Sequence, residues 1–154
     1  MRTFPSLILA LAISSSAWGR QEAIQVTLDY VAKKAEERAR KPFRSPRGDL
    51  PAVLRQENLD YDKYREIEFR HDQALWATDD LPFRTEFFHP GYLYQEPVRI
   101  NEFTLTHLQP VRFAQDFFDY RGLKIQKQIP ADTGYAGFRI LNQLNQTGKW
   151  DEIG

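Results

Sequence analysis

The stretch from Leu81 to Leu105, LPFRTEFFHPGYLYQEPVRINEFTL, constrains the fold more than any other part of the chain. It places two runs of β-prone, alternating residues on either side of a turn signal. In the first run Phe83, Thr85 and Phe87 fall on one face and Arg84, Glu86 and Phe88 on the other. Pro90 fixes one backbone dihedral and Gly91 frees the next, the combination that a turn needs. The pattern predicts a β-hairpin whose return limb begins near Tyr92. Along that limb the apolar residues are Val98 and Ile100, then Phe103 and Leu105, so the phase changes by one residue at Asn101 and Glu102. A one-residue change exchanges the two faces, and a β-bulge at Asn101 would absorb it.

A hairpin is not stable alone in water, so its aromatic face calls for a second layer. The segments that follow supply strand-like material around Val111–Phe113, Phe117–Tyr120, Leu123–Gln128 and Phe138–Leu141, separated by Pro110, Gly122, Pro130 and Gly134. Upstream, Tyr64–Phe69 alternates in the same way. Short strands at this spacing predict a mainly β protein of sandwich type. One segment is different. From Val26 to Lys41 the apolar residues Leu28, Val31, Ala32, Ala35 and Ala39 recur at helical spacing, Thr27 is placed to cap the first turn, and Lys41-Pro42 ends it. This predicts a helix packed on the sheet, with Lys33, Lys34, Glu36, Glu37 and Arg40 facing solvent. Gly134 and Gly137 predict a tight turn that delivers Phe138 to the core.

Residues 1–19 form a unit apart: Arg2, the apolar run Leu7–Ile13, three serines, and the small-residue pattern Ala17-Trp18-Gly19. This is the plan of a secretory signal peptide, too short to span a bilayer. The expected organisation is therefore a signal peptide, 1–19, and one exported domain, 20–154, without stable membrane insertion. Its removal takes away Arg2 alone and leaves 20 basic against 21 acidic residues. A balanced chain whose basic run, Lys33–Arg47, is interleaved with Glu36 and Glu37 argues against nucleic acid and against an anionic membrane surface as partners. With no cysteine to form disulfides, stability rests on burial.

The chemistry-bearing residues form no recognised constellation. His71, His89 and His107 lack metal-ligand spacing, and there is no nucleophile elbow, phosphate loop or cysteine nucleophile. No cofactor and no metal is expected. Carboxylates are plentiful, among them Asp79, Asp80, Glu86, Glu102, Asp116 and Asp132. A glycosidase pair would need two of them held across a cleft, a separation that spacing in sequence does not give.

Three blocks carry a family likeness: LPAVLRQENLDYDKYREIEFRHDQALW from Leu50, FRTEFFHPGYLYQEPVRINEF from Phe83, and DTGYAGFRILNQLN from Asp132. In this order they resemble the N-terminal portion of the periplasmic glucan biosynthesis protein G family (MdoG, or OpgG). The resemblance implies a galactose-mutarotase-like β-sandwich, here incomplete, with one N-terminal α-helix after the signal peptide. It implies a place in the periplasm, with Sec-type export, since only Arg2 precedes the apolar run where the twin-arginine relatives carry a pair. The substrate implied is the osmoregulated periplasmic glucan with its β-1,2-linked glucose backbone, and the partner implied is the glucan-synthesis machinery. Relatives are similar to glycoside hydrolases, with catalytic carboxylates beyond position 154, so the resemblance assigns no catalytic residue here. A non-catalytic carbohydrate-binding module and a structural fragment of a glucan assembly are the alternatives.

Sugar recognition sets aromatic faces against the C–H faces of the rings, with polar groups around them for the hydroxyls. The candidates are Trp76, Tyr92, Tyr94 and Tyr135, with Trp150 as a further aromatic, and Arg99 and Arg139 for hydroxyl groups. The two arginines could instead pair with carboxylates across strands. An incomplete sandwich is also expected to leave an apolar set uncovered, here Phe87, Ile100, Phe103 and Phe117.

Overall fold

The computed structural model describes residues 26–104, 107–145 and 147–153. In chain order the elements are α1 (Leu28–Ala39), α2 (Tyr61–Tyr64), β1 (Glu68–Phe69), β2 (Phe83–Phe88), β3 (Ile100–Phe103), β4 (Leu108–Val111), β5 (Phe118–Asp119), β6 (Gly137–Asn142) and β7 (Asp151–Ile153), with short 3-10 turns between them. The chain is mainly β. Its seven strands lie in three antiparallel sheets, β1-β5, β2-β6-β7 and β3-β4, and among the described residues no barrel closes. The segment expected to be a signal peptide, 1–19, and Leu105 lie outside the described residues.

Strand β2 forms where the alternation predicts it, but its partner is not the limb that follows. Phe83–Phe88 pairs with Gly137–Asn142, so that Glu86 lies opposite Arg139 and Phe87 opposite Phe138. The predicted hairpin is replaced by a long-range pairing. Pro90 and Gly91 do make a turn, but it is a local one in which Gly91 and Tyr94 exchange backbone hydrogen bonds. The β3 limb pairs instead with β4 in unbroken register, Ile100 opposite Val111 and Phe103 opposite Leu108. No bulge occurs at Asn101. The phase change read there is resolved by leaving Phe103 exposed, with Ile100 and Glu102 turned inward.

The helix forms as its spacing predicts, and the Thr27 hydroxyl accepts from the Tyr30 N–H at 3.2 Å. It does not pack on the sheet: none of its residues is buried, and Leu28 is 83% exposed. Its surface is held by the pairs Lys34–Glu37 and Arg40–Glu36. Tyr64–Phe69 is also shorter as a strand than its alternation suggests. Asp60 caps a helical turn over Tyr61–Tyr64 by accepting from the Lys63 N–H, which leaves Glu68 and Phe69 to pair with β5. A local cap thus outcompetes the extended form. Leu123–Gln128 is likewise turn and 3-10 helix, not strand.

The core draws on loops as much as on strands: Leu50, Leu54, Leu59, Phe87, Phe113, Phe118, Tyr120, Ile129 and Tyr135 form one buried cluster. Phe87 stacks on Tyr135 with ring centroids 4.5 Å apart and meets Phe69 edge-on at 5.8 Å. Phe87 is therefore covered, contrary to the uncovered set expected. Of the same set Ile100 and Phe117 are half-buried against the core and Phe103 is exposed; Phe138, Ile140 and Ile153 are among the other exposed apolar residues. Gly134 makes the predicted tight turn, since a Cβ there would stand 3.0 Å from the Val98 carbonyl oxygen and its φ is +82°. That turn delivers Tyr135 to the core, while Phe138 stays 53% exposed.

Candidate functional site

Residues 71–79 are stitched to the free edge of β2. Leu75 and Thr85 exchange two backbone hydrogen bonds, 2.9 and 3.1 Å, so the segment after the His71–Gln73 turn is fixed to the sheet by one isolated bridge. The next residue, Trp76, has φ +65°. For a bulky side chain that left-handed conformation is costly and persists only where the surroundings impose it. Here they do. The Trp76 ring meets Phe83 edge-on at 5.6 Å, and its Nε1 donates to Glu102 Oε1 at 2.7 Å. Glu102 is fixed in turn by Gln109 Nε2, which donates to Oε2 at 2.7 Å, as the Glu102–Gln109 register of β3 and β4 requires.

The indole forms part of the wall of an open concavity of about 590 Å3, which Asp72, Asp79, Glu102 and Arg112 also line. An aromatic ring held rigidly among polar groups is the arrangement that binds a sugar face. Of the cleft carboxylates, Glu102 has both oxygens engaged. Asp72 is held below the ordinary carboxylate range, first by the hydrogen bond from Gln73 and then by that from Arg70. A general acid needs the opposite shift. Asp79 lines the same wall, whereas Asp80, Asp116 and Asp132 are exposed and do not.

Arg139, read as a hydroxyl donor or a cross-strand partner, takes the second role. Glu86 is 1% exposed and accepts from Arg139 Nε at 3.1 Å and from a terminal Arg139 nitrogen at 2.7 Å. His71 Nδ1 lies 2.6 Å from the other Glu86 oxygen, and an Arg84 nitrogen lies 3.5 Å from it. A buried carboxylate is tolerated when it is paired and bonded in this way. The Arg84 guanidinium in turn lies over the Trp150 ring, 4.4 Å from its centroid, which assigns Trp150 a packing partner. This network escapes a sequence reading because it depends on the β2–β6 register. The visible trace was Arg84 and Glu86 at alternate positions of β2 and the single charge of β6, Arg139.

The remaining candidates separate. Tyr135 is fully buried, and its hydroxyl donates to the Arg112 carbonyl at 2.8 Å; burial pushes its pKa up to about 12. A ring so placed touches the core and not the cleft. Arg99 is exposed just before β3 and does not line the cleft. Tyr92 and Tyr94 come together with Tyr61 and Tyr64 on another part of the surface. Of the histidines, His89 is buried, its Nδ1 2.6 Å from the Pro90 carbonyl and its Nε2 3.1 Å from the Tyr120 hydroxyl. Since a carbonyl only accepts, Nδ1 carries the proton and Nε2 accepts from Tyr120. Among the described residues no group of three His, Cys, Asp or Glu could hold a metal ion, and no helix is long and apolar enough to cross a membrane.

The sequence profile of the family described as "Periplasmic glucan biosynthesis protein, MdoG" matches residues 26–154, which include every element above. The match covers the cleft, the Glu86 network and the tyrosine surface alike, and it agrees with the resemblance carried by the blocks from Leu50, Phe83 and Asp132. The chain belongs to the MdoG family of periplasmic glucan biosynthesis proteins.

Proposed function

We propose that this chain serves the biosynthesis or remodelling of osmoregulated periplasmic glucan by binding the β-1,2-linked polymer along the cleft at Trp76. It contributes the cleft wall and not the catalytic groups. The observation that carries this is Trp76 itself. A tryptophan in a costly backbone conformation, pinned through Nε1 to Glu102 and lining an open polar concavity, is built to present a ring face. The state of the carboxylates favours binding over hydrolysis, because Glu102 is fully hydrogen-bonded and Asp72 is held ionised. The mature domain begins after Gly19, at the end of a Sec-type signal peptide, and works in the periplasm with the glucan-synthesis machinery. It is the N-terminal part of a galactose-mutarotase-like sandwich.

Purified chain mixed with linear β-1,2-glucan tests the assignment through two readouts, retention of the polymer and release of new reducing ends. Retention without new reducing ends is expected. New reducing ends would move catalysis into this segment, with Asp79 the first residue to replace. Neither retention nor cleavage would leave a structural role within a glucan assembly.

A further inference from the structure

A second surface has no part in the cleft. Asp60 caps the turn that holds Tyr61 and Tyr64 three residues apart on one side of α2. Gly91, with φ +143°, lets the backbone approach where a Cβ would stand 2.9 Å from Leu59. Tyr92 N–H then bonds the Leu54 carbonyl at 3.0 Å, and Tyr94 N–H bonds Gly91. The 91–94 turn is thereby laid against the 54–64 segment. Four rings follow one another, Tyr61 to Tyr92 at 6.1 Å, Tyr92 to Tyr64 at 6.0 Å and Tyr64 to Tyr94 at 5.8 Å.

Two features set this run apart from core packing. Its ends are open, Tyr61 at 56% and Tyr94 at 57% exposure, so apolar ring surface is left in water at a cost. Tyr92 also has φ +54°, the same costly conformation as Trp76 in the cleft. Beside Tyr94 lies a concavity of about 470 Å3, lined by Arg47, Gln56, Gln95 and Glu96 among others. It holds one charge of each sign, and each has a neutral partner: Arg47 Nε donates to Gln95 Oε1 at 3.1 Å, and Glu96 accepts from the Ser45 hydroxyl at 3.1 Å. The Arg65 guanidinium lies against the Tyr61 ring, 5.8 Å from its centroid, and the amides and tyrosine rings among these charges suit a neutral polyhydroxylated ligand.

We propose that the tyrosine run Tyr61–Tyr92–Tyr64–Tyr94, with the concavity beside Tyr94, is a second glucan-binding surface separate from the Trp76 cleft. The proposal rests on the glucan assignment above. The two lining sets share no residue, so one polymer bound at both would be held by avidity, while a short oligosaccharide would report each surface by itself.

The test is titration of linear β-1,2-glucan and of its trisaccharide into wild type, Trp76→Ala, the double variant Tyr61→Ala/Tyr94→Ala, and the triple variant. A urea midpoint for each confirms that the exposed tyrosines are dispensable for folding. The double variant should lose about tenfold in polymer affinity, the order of one or two stacked contacts. Trp76→Ala should retain weak trisaccharide binding, which the triple variant abolishes. In Trp76→Ala, polymer should also slow nitration of Tyr61 and Tyr94. Wild-type affinity in the double variant, or unprotected tyrosines, would overturn the second surface while leaving the cleft intact. Full affinity in Trp76→Ala with loss in the double variant would remove the cleft and keep the tyrosines. No binding by wild type would remove both.

Discussion

Phe87 and Phe88 are neighbours in β2, yet one is 2% and the other 42% exposed. Phe87 fills the space between Tyr135 and Phe69, so Phe87→Ala leaves a cavity and should cost roughly 3 to 5 kcal/mol. Phe88→Ala should cost clearly less, and urea midpoints of the two variants decide it; equal losses would mean that both faces are buried. His89 gives a prediction in pH. Burial lowers its pKa from 6.5 to about 4, against a smaller opposing effect of the hydrogen bond to Pro90. The unfolded chain therefore binds a proton at higher pH than the folded one. The resulting stability is fully present above pH 6.5 and declines as pH falls toward 4, by on the order of 3 kcal/mol in all. Urea midpoints of wild type and His89→Phe, compared between pH 7.5 and 5, should show this slope in wild type alone. Parallel profiles would contradict it.

Among the elements, α1 was legible in the sequence down to its cap, because a helix is written in local spacing and local hydrogen bonds. Its docking was not, and the exposure of Leu28 shows that an apolar stripe states a need without stating a partner. Thr27→Ala should therefore fray α1, speeding amide exchange there severalfold, while the urea midpoint of the core stays put, since the helix buries no residue. A shifted midpoint would show that the helix is coupled to the core. Strand β2 was equally legible and its partner was not. Period-2 alternation tells which residues share a face, but the choice between the following limb and β6 is set by long-range packing. Glu86 opposite Arg139 is the residue-level record of that choice. Of the cleft lining, Trp76 was legible as a candidate aromatic. Its pinning by Glu102 was not, because it needs the meeting of the 71–79 segment with β3.

At the scale of the whole molecule, a buried core of loops and short strands coexists with apolar surface left in water. Ile140 and Ile153 are opposite one another across β6 and β7, Phe138 lies two residues from Ile140 along the same strand, and all three are exposed. Purified chain should bind a hydrophobic dye at this patch, and Phe138→Ser/Ile153→Ser should reduce the signal by half or more. Unchanged dye binding would place the open surface elsewhere. If the fold brings Trp76 to a glucan cleft, the affinity of linear β-1,2-glucan should differ between wild type and Trp76→Ala, measured by calorimetry at equal urea midpoints. Trp76→Ala should bind at least about tenfold more weakly; equal affinity in the two proteins would mean that glucan does not bind at Trp76.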